Sequence, residues 1–424
     1  MSENTGSRVE QWRPQPRPEW VRRINEEGTC LDIESIVPLD EKSLVETAMA
    51  NTGLSDFGSD DWREPFQVFL KSLREEAELN LMGRILTRSD LLMVLEARLK
   101  VEDTYKRHPE IDEQVIAAPL WILGSGRSGT SALQNLMSLD PDSGSPRHWE
   151  ALFPCPPPEA KTYHSDPRIP VADARMTQWN RVVPEIASMH EFGGEMPTEV
   201  IQLEALSFQS GGWLIFCGFT PTFDAYIAKR GSRLAVAYAK RVLKLLQWKN
   251  PRKRWLVKSP DAMRYLPDVV ATFPDVQLIW THRDPLKTMS SVVSLVGTIL
   301  WMRSDRKLDE RAIASLTNPA GLAGLFDLVM SQIDAGLVPA SQVHHVQYPD
   351  LVGDPLGTVE AVYRSVGVPL TPAAREAMAS YVRENPREAR PAHRYGTSVD
   401  AERQAAERRL FARYMERFGV RPEA

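Results

Sequence analysis

The chain has 424 residues, enough for two or three domains of ordinary size or for one large α/β domain with insertions. Its 42% hydrophobic and 25% charged residues match soluble globular proteins and exclude a largely disordered, collagen-like or disulfide-scaffold chain. The 51 Lys and Arg against 56 Asp and Glu leave a net charge of −5, which argues against general binding to nucleic acid or anionic membrane but allows a local basic pocket. Cys30, Cys155 and Cys217 are odd in number and far apart, so neither a disulfide framework nor a zinc site is expected, and a cytoplasmic, reducing compartment fits. Residues 1–30 lack the apolar core of a signal peptide, and no later run approaches the ~18 apolar residues of a membrane span.

In chain order, residues 1–30 read as an extended arm and residues 31–118 as a helical region. Asp40 can cap a helix that stops near Gly53, and Phe66, Phe69, Leu70 and Leu73 recur at helical spacing after Asp61. A third helix is expected from Ser89 or Asp90, with Leu91, Leu95 and Leu99 on one stripe. The pattern changes at Pro119. Short apolar runs at Leu120–Leu123, Trp255–Val257, Val276–Thr281 and Val343–Tyr348, separated by helical stretches, predict an α/β fold: a P-loop-type, mainly parallel sheet flanked by helices over residues 119–424. The interval of about 145–250 is too long for one crossover and is expected to be a helical insertion over the sheet end. Its aromatics, Trp149, Phe153, Trp179, Phe192, Phe208, Trp213, Phe216 and Phe223, should be mostly core, with a few lining a substrate cleft. The tail reads as one helix from Ala401 to Phe418, after a basic stretch at 383–394.

The segment GSGRSGTSAL, residues 124–133, follows the first strand and opens a helix. Such a loop aims several backbone N–H groups at one point, where the helix dipole adds positive charge, and so forms an anion cradle. It satisfies both the dinucleotide fingerprint Gly124-x-Gly126-x-x-Gly129 and a P-loop spacing with Thr130 in the lysine position. The dinucleotide reading requires a second strand ending in an acid, whereas residues 139–150 look turn-rich and strandless. An NTPase requires the missing lysine on its β- and γ-phosphates. A nucleotide without a γ-phosphate therefore suits the loop better, with Arg127 as its fixed cation. Lys258 and Arg283 each follow a strand-like run, which brings them to the same sheet end. Asp284 can cap the next helix with Pro285 at its first position, and Ser291 lies two turns along, on the face of Lys287.

Together these segments resemble the sulfotransferase family that uses 3′-phosphoadenosine 5′-phosphosulfate, in the bacterial branch with an RSGT loop. The likeness extends from about Leu39 onward through KSP at 258–260, PTEVIQLEALSF at 197–208, VQYPDLVGDP at 346–355 and HRYG at 393–396. It implies that Gly126, Arg127, Ser128, Gly129, Thr130 and Ser131 bind the 5′-phosphosulfate, that Arg283 and Ser291 bind the 3′-phosphate, and that Arg387 and Arg394 belong to the segment that closes over the nucleotide. The expected co-substrate is 3′-phosphoadenosine 5′-phosphosulfate, the expected partner is a small-molecule hydroxyl acceptor of apolar character, and no metal is implied. Many animal relatives carry a catalytic histidine two residues after the lysine matched by Lys258. This chain has Pro260 there, which cannot titrate.

The base must then lie elsewhere. Glu150 is the first candidate, because the turn at Asp140–Pro146 can return the chain to the cradle and a glutamate in a similar place serves some bacterial relatives. His190 follows, with Glu191 expected to raise its pKa, and His148 is third. Arg127 and Lys258 would neutralise the leaving group. The alternatives are a P-loop nucleotide kinase that uses Asp284 on the metal side, and a catalytically degenerate nucleotide-binding member. No HExxH, paired CxxC or GxSxG pattern supports a metalloprotease or serine hydrolase.

Overall fold

The structure, a computed structural model, describes residues 14–306, 318–386 and 401–423, without the side chains of 213–215, 290, 291 and 401. Five strands form one all-parallel sheet in the order β2-β3-β1-β4-β5. They are β1 (Leu120–Gly124), β2 (Ser143–Gly144), β3 (Arg254–Lys258), β4 (Gln277–His282) and β5 (Val343–Gln347).

Central β1 is buried along its whole length because helices cover both of its faces. The period-two alternation of a strand sends Trp121 and Leu123 to one core with Trp255, Val257, Leu278 and Trp280, and Leu120 and Ile122 to the other with Leu256, Ile279 and Val346. Helices Arg233–Trp248 and Pro319–Asp334 pack on the first face, and Thr130–Met137 and Pro355–Ser365 on the second. β2 is an unexpected strand inside the stretch read as turns. It has no strand pattern of its own, and Asp140 holds it through Arg254 (3.1 Å), Tyr363 (2.8 Å) and Ser143 (3.2 Å).

The helical region follows its local signals where these are complete. Asp40 caps Glu41–Thr52 through the Ser43 N–H (2.9 Å), and Gly53 ends it. Helix Arg63–Glu76 turns Phe66 and Phe69 onto Phe208 and Phe223 of the insertion, so these aromatics join a second core shared with the helical region. Three expectations are corrected. Residues Glu19–Gly28 form a helix rather than part of an extended arm, docked where Asn25 Oδ1 accepts the Met82 N–H (3.0 Å). The third helix runs from Leu81 to Arg107, capped by Asn80, not from Ser89 or Asp90. Asp90 looked like a cap because it is polar, but it is buried mid-helix against Arg303 (2.6 Å) and Arg175 (3.1 Å). The tail helix is also two, Ala401–Leu410 and Ala412–Phe418, broken at the buried Phe411.

Candidate active site

The strand register brings the chemistry-bearing residues to one edge. Ile122 of β1 lies beside Lys258, Gly124 beside Thr281, and Arg283 follows the last residue of β4. All three positions are at carboxyl ends of parallel strands, where ligands of such sheets collect.

The loop between β1 and helix Thr130–Met137 is held by its own polar groups. Ser128 donates its N–H (3.1 Å) and its hydroxyl (2.6 Å) to Ser125 O, and the hydroxyl also meets Thr281 Oγ1 (2.7 Å). A Cβ on Gly124 would lie 2.3 Å from Thr281 Oγ1, and Gly129, at φ +95°, has the Tyr348 ring 2.9 Å from where its Cβ would be. Both positions therefore need glycine. The first intrahelical bond here is Leu133 N–H to Gly129 O (3.0 Å), so the N–H groups of Thr130, Ser131 and Ala132 precede it and point toward the loop mouth. Ser128 thus braces the loop through both of its donors.

Lys258, with 3% of its side chain exposed, joins the loop helix to the insertion: Nζ donates to Ser131 Oγ (2.9 Å) and pairs with Glu199 Oε1 (2.7 Å). Glu199 keeps 25% exposure, and its neighbours are fixed from both sides. Val200 N–H donates to Lys258 O (2.9 Å), Thr198 N–H donates to Pro146 O (2.8 Å), and Gln134 of the loop helix donates to Thr198 O (2.9 Å). Arg127 donates to Met189 O (2.8 Å), and its own carbonyl accepts from Arg283 NH1 (2.9 Å). Arg283 stacks on Tyr348, its guanidinium carbon 3.9 Å from the ring centre.

Glu150 is fully buried at the third position of helix His148–Leu152, and Oε2 accepts the Arg147 N–H (2.9 Å) in a capping box. Burial raises its pKa, and Arg252, Tyr163 and Arg147 surround it. In that setting one carboxylate oxygen serves as a helix cap. The turn at Asp140–Pro146 contains β2, which runs parallel to β3 and carries the chain toward the Lys258 end of that strand.

His190 does sit near Lys258, Glu199 and Arg127, stacked on Phe192 with ring centres 4.5 Å apart. Its pKa is lowered to about 4, by burial first and Lys258 next, which outweigh Glu199. The expected upward shift from Glu191 is corrected, because Glu191 offers only its backbone carbonyl to Nδ1 (2.8 Å). His148 is buried on Gly193 O (3.0 Å) and lowered to about 3 by the same desolvation. Both imidazoles are neutral at ordinary pH. Arg387, Arg394 and the side chain of Ser291 lie outside the described residues.

Beneath Glu199, the buried Glu204 accepts from Tyr265 (3.0 Å), and burial followed by the Asp261 charge raises its pKa to about 8. Asp261 is itself raised by desolvation although 29% of its side chain is exposed, a combination expected on the wall of a recess. With Glu204 raised from its ordinary 4.5, the native state holds a proton that the unfolded chain has lost, so folding stability falls between about pH 4.5 and 8. Thermal melts from pH 5.5 to 8.5 should show the wild type losing stability with rising pH, and Glu204→Gln should flatten that decline. Parallel curves would place the proton elsewhere.

A separate recess of about 300 Å³, between Met93–Lys100 and Phe153–Pro156, shares no residue with the loop. Arg168 at its rim is held by Asp166 (2.6 Å) and by Phe153 O (2.8 Å). Among the described residues no His, Cys, Asp and Glu group is arranged to hold a metal, and no helix is long and apolar enough to cross a membrane.

Among curated proteins none matches this chain. Solved structures do. Sulfotransferase STF1 from Mycobacterium tuberculosis H37Rv is 27% identical, with a TM-score of 0.74 over 88% of this chain and 98% of that one. Sulfotransferase STF9 from Mycobacterium avium is 26% identical, with a TM-score of 0.78 over 91% and 98%. The sulfotransferase family profile matches residues 119–372, from the first residues before β1 to the helix after Thr371. The profile spans the sheet, the glycine loop and the two cationic strand ends, and the chain belongs to the sulfotransferase family.

Proposed function

We propose that this chain transfers the sulfuryl group of 3′-phosphoadenosine 5′-phosphosulfate to a hydroxyl of a small acceptor with an apolar face, and that Glu199 is the general base. The observation that carries the reading is Lys258, which touches the anion loop through Ser131 and the carboxylate of Glu199 at once. The residues fit the donor: first-turn N–H groups with Arg127 and Lys258 for the phosphosulfate, and Arg283 at the next strand end for the 3′-phosphate.

In this scheme Glu199 takes the acceptor's hydroxyl proton as the new oxygen–sulfur bond forms. Lys258 faces the phosphate oxygen that keeps the electron pair when its bond to sulfur breaks. The acceptor oxygen, sulfur and leaving oxygen need only alignment and charge neutralisation, as in phosphoryl transfer. Phe192, half-buried and stacked on His190, supplies an apolar surface near the base. Glu150 is less suited as base, since it is fully buried with one oxygen on the Arg147 N–H, whereas Glu199 keeps 25% exposure.

The kinase alternative requires Asp284 to face a metal. That carboxylate is instead engaged by the Leu286 N–H (3.0 Å), Arg408 (3.0 Å) and the Glu423 N–H (2.9 Å). Formation of adenosine 3′,5′-bisphosphate from the donor across a panel of phenols and aliphatic alcohols tests the activity, and thermal stabilisation by that product but not by Mg²⁺-ATP tests the nucleotide class. Arg283→Ala should weaken adenosine 3′,5′-bisphosphate about tenfold to a hundredfold, the loss of a charge-assisted contact, while barely changing adenosine 5′-phosphate. Calorimetry with both ligands checks it, and equal losses would remove Arg283 from the 3′-phosphate.

A further inference from the structure

After the last helix the chain turns at Gly419 and returns to the end of β4. The return is anchored. Phe418 stacks on the buried His282, ring centres 4.7 Å apart, Tyr414 bonds the same imidazole (3.0 Å), and Val420 is buried. The Glu423 N–H donates to Asp284 Oδ2 (2.9 Å), the oxygen that also receives Arg408. The backbone beside the strand end is thereby fixed.

The Glu423 side chain meets Arg283. Nε donates to Oε1 at 2.8 Å and NH2 to Oε2 at 2.9 Å, a two-bond fork along one edge of the guanidinium, while NH1 is on Arg127 O. Carboxylate and phosphate present the same fork geometry to arginine, so a carboxylate here occupies the edge that suits an incoming phosphate. Both partners keep some solvent access, 19% for Arg283 and 25% for Glu423, so the pair can open without unfolding its surroundings. The exchange is favourable in charge as well: one negative charge leaves, and a phosphate monoester brings about two.

We infer that Glu423 is a resident anion that competes with the donor's 3′-phosphate for Arg283, and thereby weakens the hold on nucleotides that carry this phosphate while leaving nucleotides without it unaffected. A nucleotide without it gains nothing at Arg283 and leaves the Glu423 fork closed. A nucleotide with it binds at the cost of opening the fork, so the affinity of the wild type is held below what Arg283 could provide. The inference rests on Arg283 as the 3′-phosphate residue.

Calorimetry on the full chain with adenosine 3′,5′-bisphosphate and adenosine 5′-phosphate tests it, using wild type, Glu423→Gln, Arg283→Ala and the double variant. Glu423→Gln should tighten the bisphosphate about threefold to tenfold, the release of one partly exposed ion pair, and change the monophosphate less than about twofold. In the Arg283→Ala background the same change should have no effect. Unchanged or weaker bisphosphate binding by Glu423→Gln overturns the inference and makes Glu423 a support that orients Arg283. If Arg283→Ala alone leaves bisphosphate affinity intact, the assignment of Arg283 fails first, and the competition with it. The two failures are told apart by which single variant departs from expectation.

Discussion

Glu199→Gln should lower kcat by about 10²- to 10⁴-fold, the usual contribution of a positioned general base, while affinity for adenosine 3′,5′-bisphosphate stays within about threefold of wild type or tightens. The asymmetry follows from the ion pair. Glu199 holds Lys258 at 2.7 Å, so the amide leaves the ammonium more available to the phosphate while removing the proton acceptor. Steady-state rates with any competent acceptor, together with calorimetry of the product nucleotide, read both halves. Preserved kcat would move the base to His190, which also lies near Lys258 and Arg127. A parallel fall in kcat and nucleotide affinity would instead make Glu199 a structural partner of Lys258. Glu150→Gln is the useful contrast: buried in a capping box, it should alter stability with little effect on turnover.

Lys258→Met should lower kcat by about 10²- to 10³-fold, because it would remove the cation that the proposed scheme sets against the leaving oxygen, and should weaken the product nucleotide as well. Its side chain is only 3% exposed, so the substitution also strands Glu199 beside a methyl thioether. Pairing it with Glu199→Gln separates the two effects. The double variant should recover thermal stability relative to Lys258→Met while remaining as slow as the worse single variant, since both residues act on one transfer step. A double variant that is stable and regains turnover would assign Lys258 to packing rather than chemistry.

These expectations depend on different kinds of information. The loop, Lys258 and Arg283 were readable because each is attached to a local signal: an apolar run that must be a buried strand, followed at once by glycines or a cation. Once strands are parallel, their carboxyl ends meet, and neighbours in the sheet follow from that. Glu199 was in view within PTEVIQLEALSF, but an acid in an amphipathic stretch has no periodicity that distinguishes a base from a solvated residue. Glu150 follows a turn that returns the chain to the sheet, but its burial and its bond to the Arg147 N–H are set by packing that chain order does not show, and the two-residue strand β2 is held by Asp140 and not by its own composition.

From the amino-acid order alone came the parallel α/β sheet, the glycine-rich loop and the two cations at its edge, all consequences of short-range patterning and backbone geometry. Tertiary packing alone decided which carboxylates meet those cations. Gln134 and the Val200 N–H bring Glu199 to Lys258, and the turn after Phe418 brings Glu423 to Arg283. The reason is physical. A buried lysine and a half-buried arginine accept whichever acid the surrounding core delivers, and that delivery is set by contacts between segments far apart in the chain.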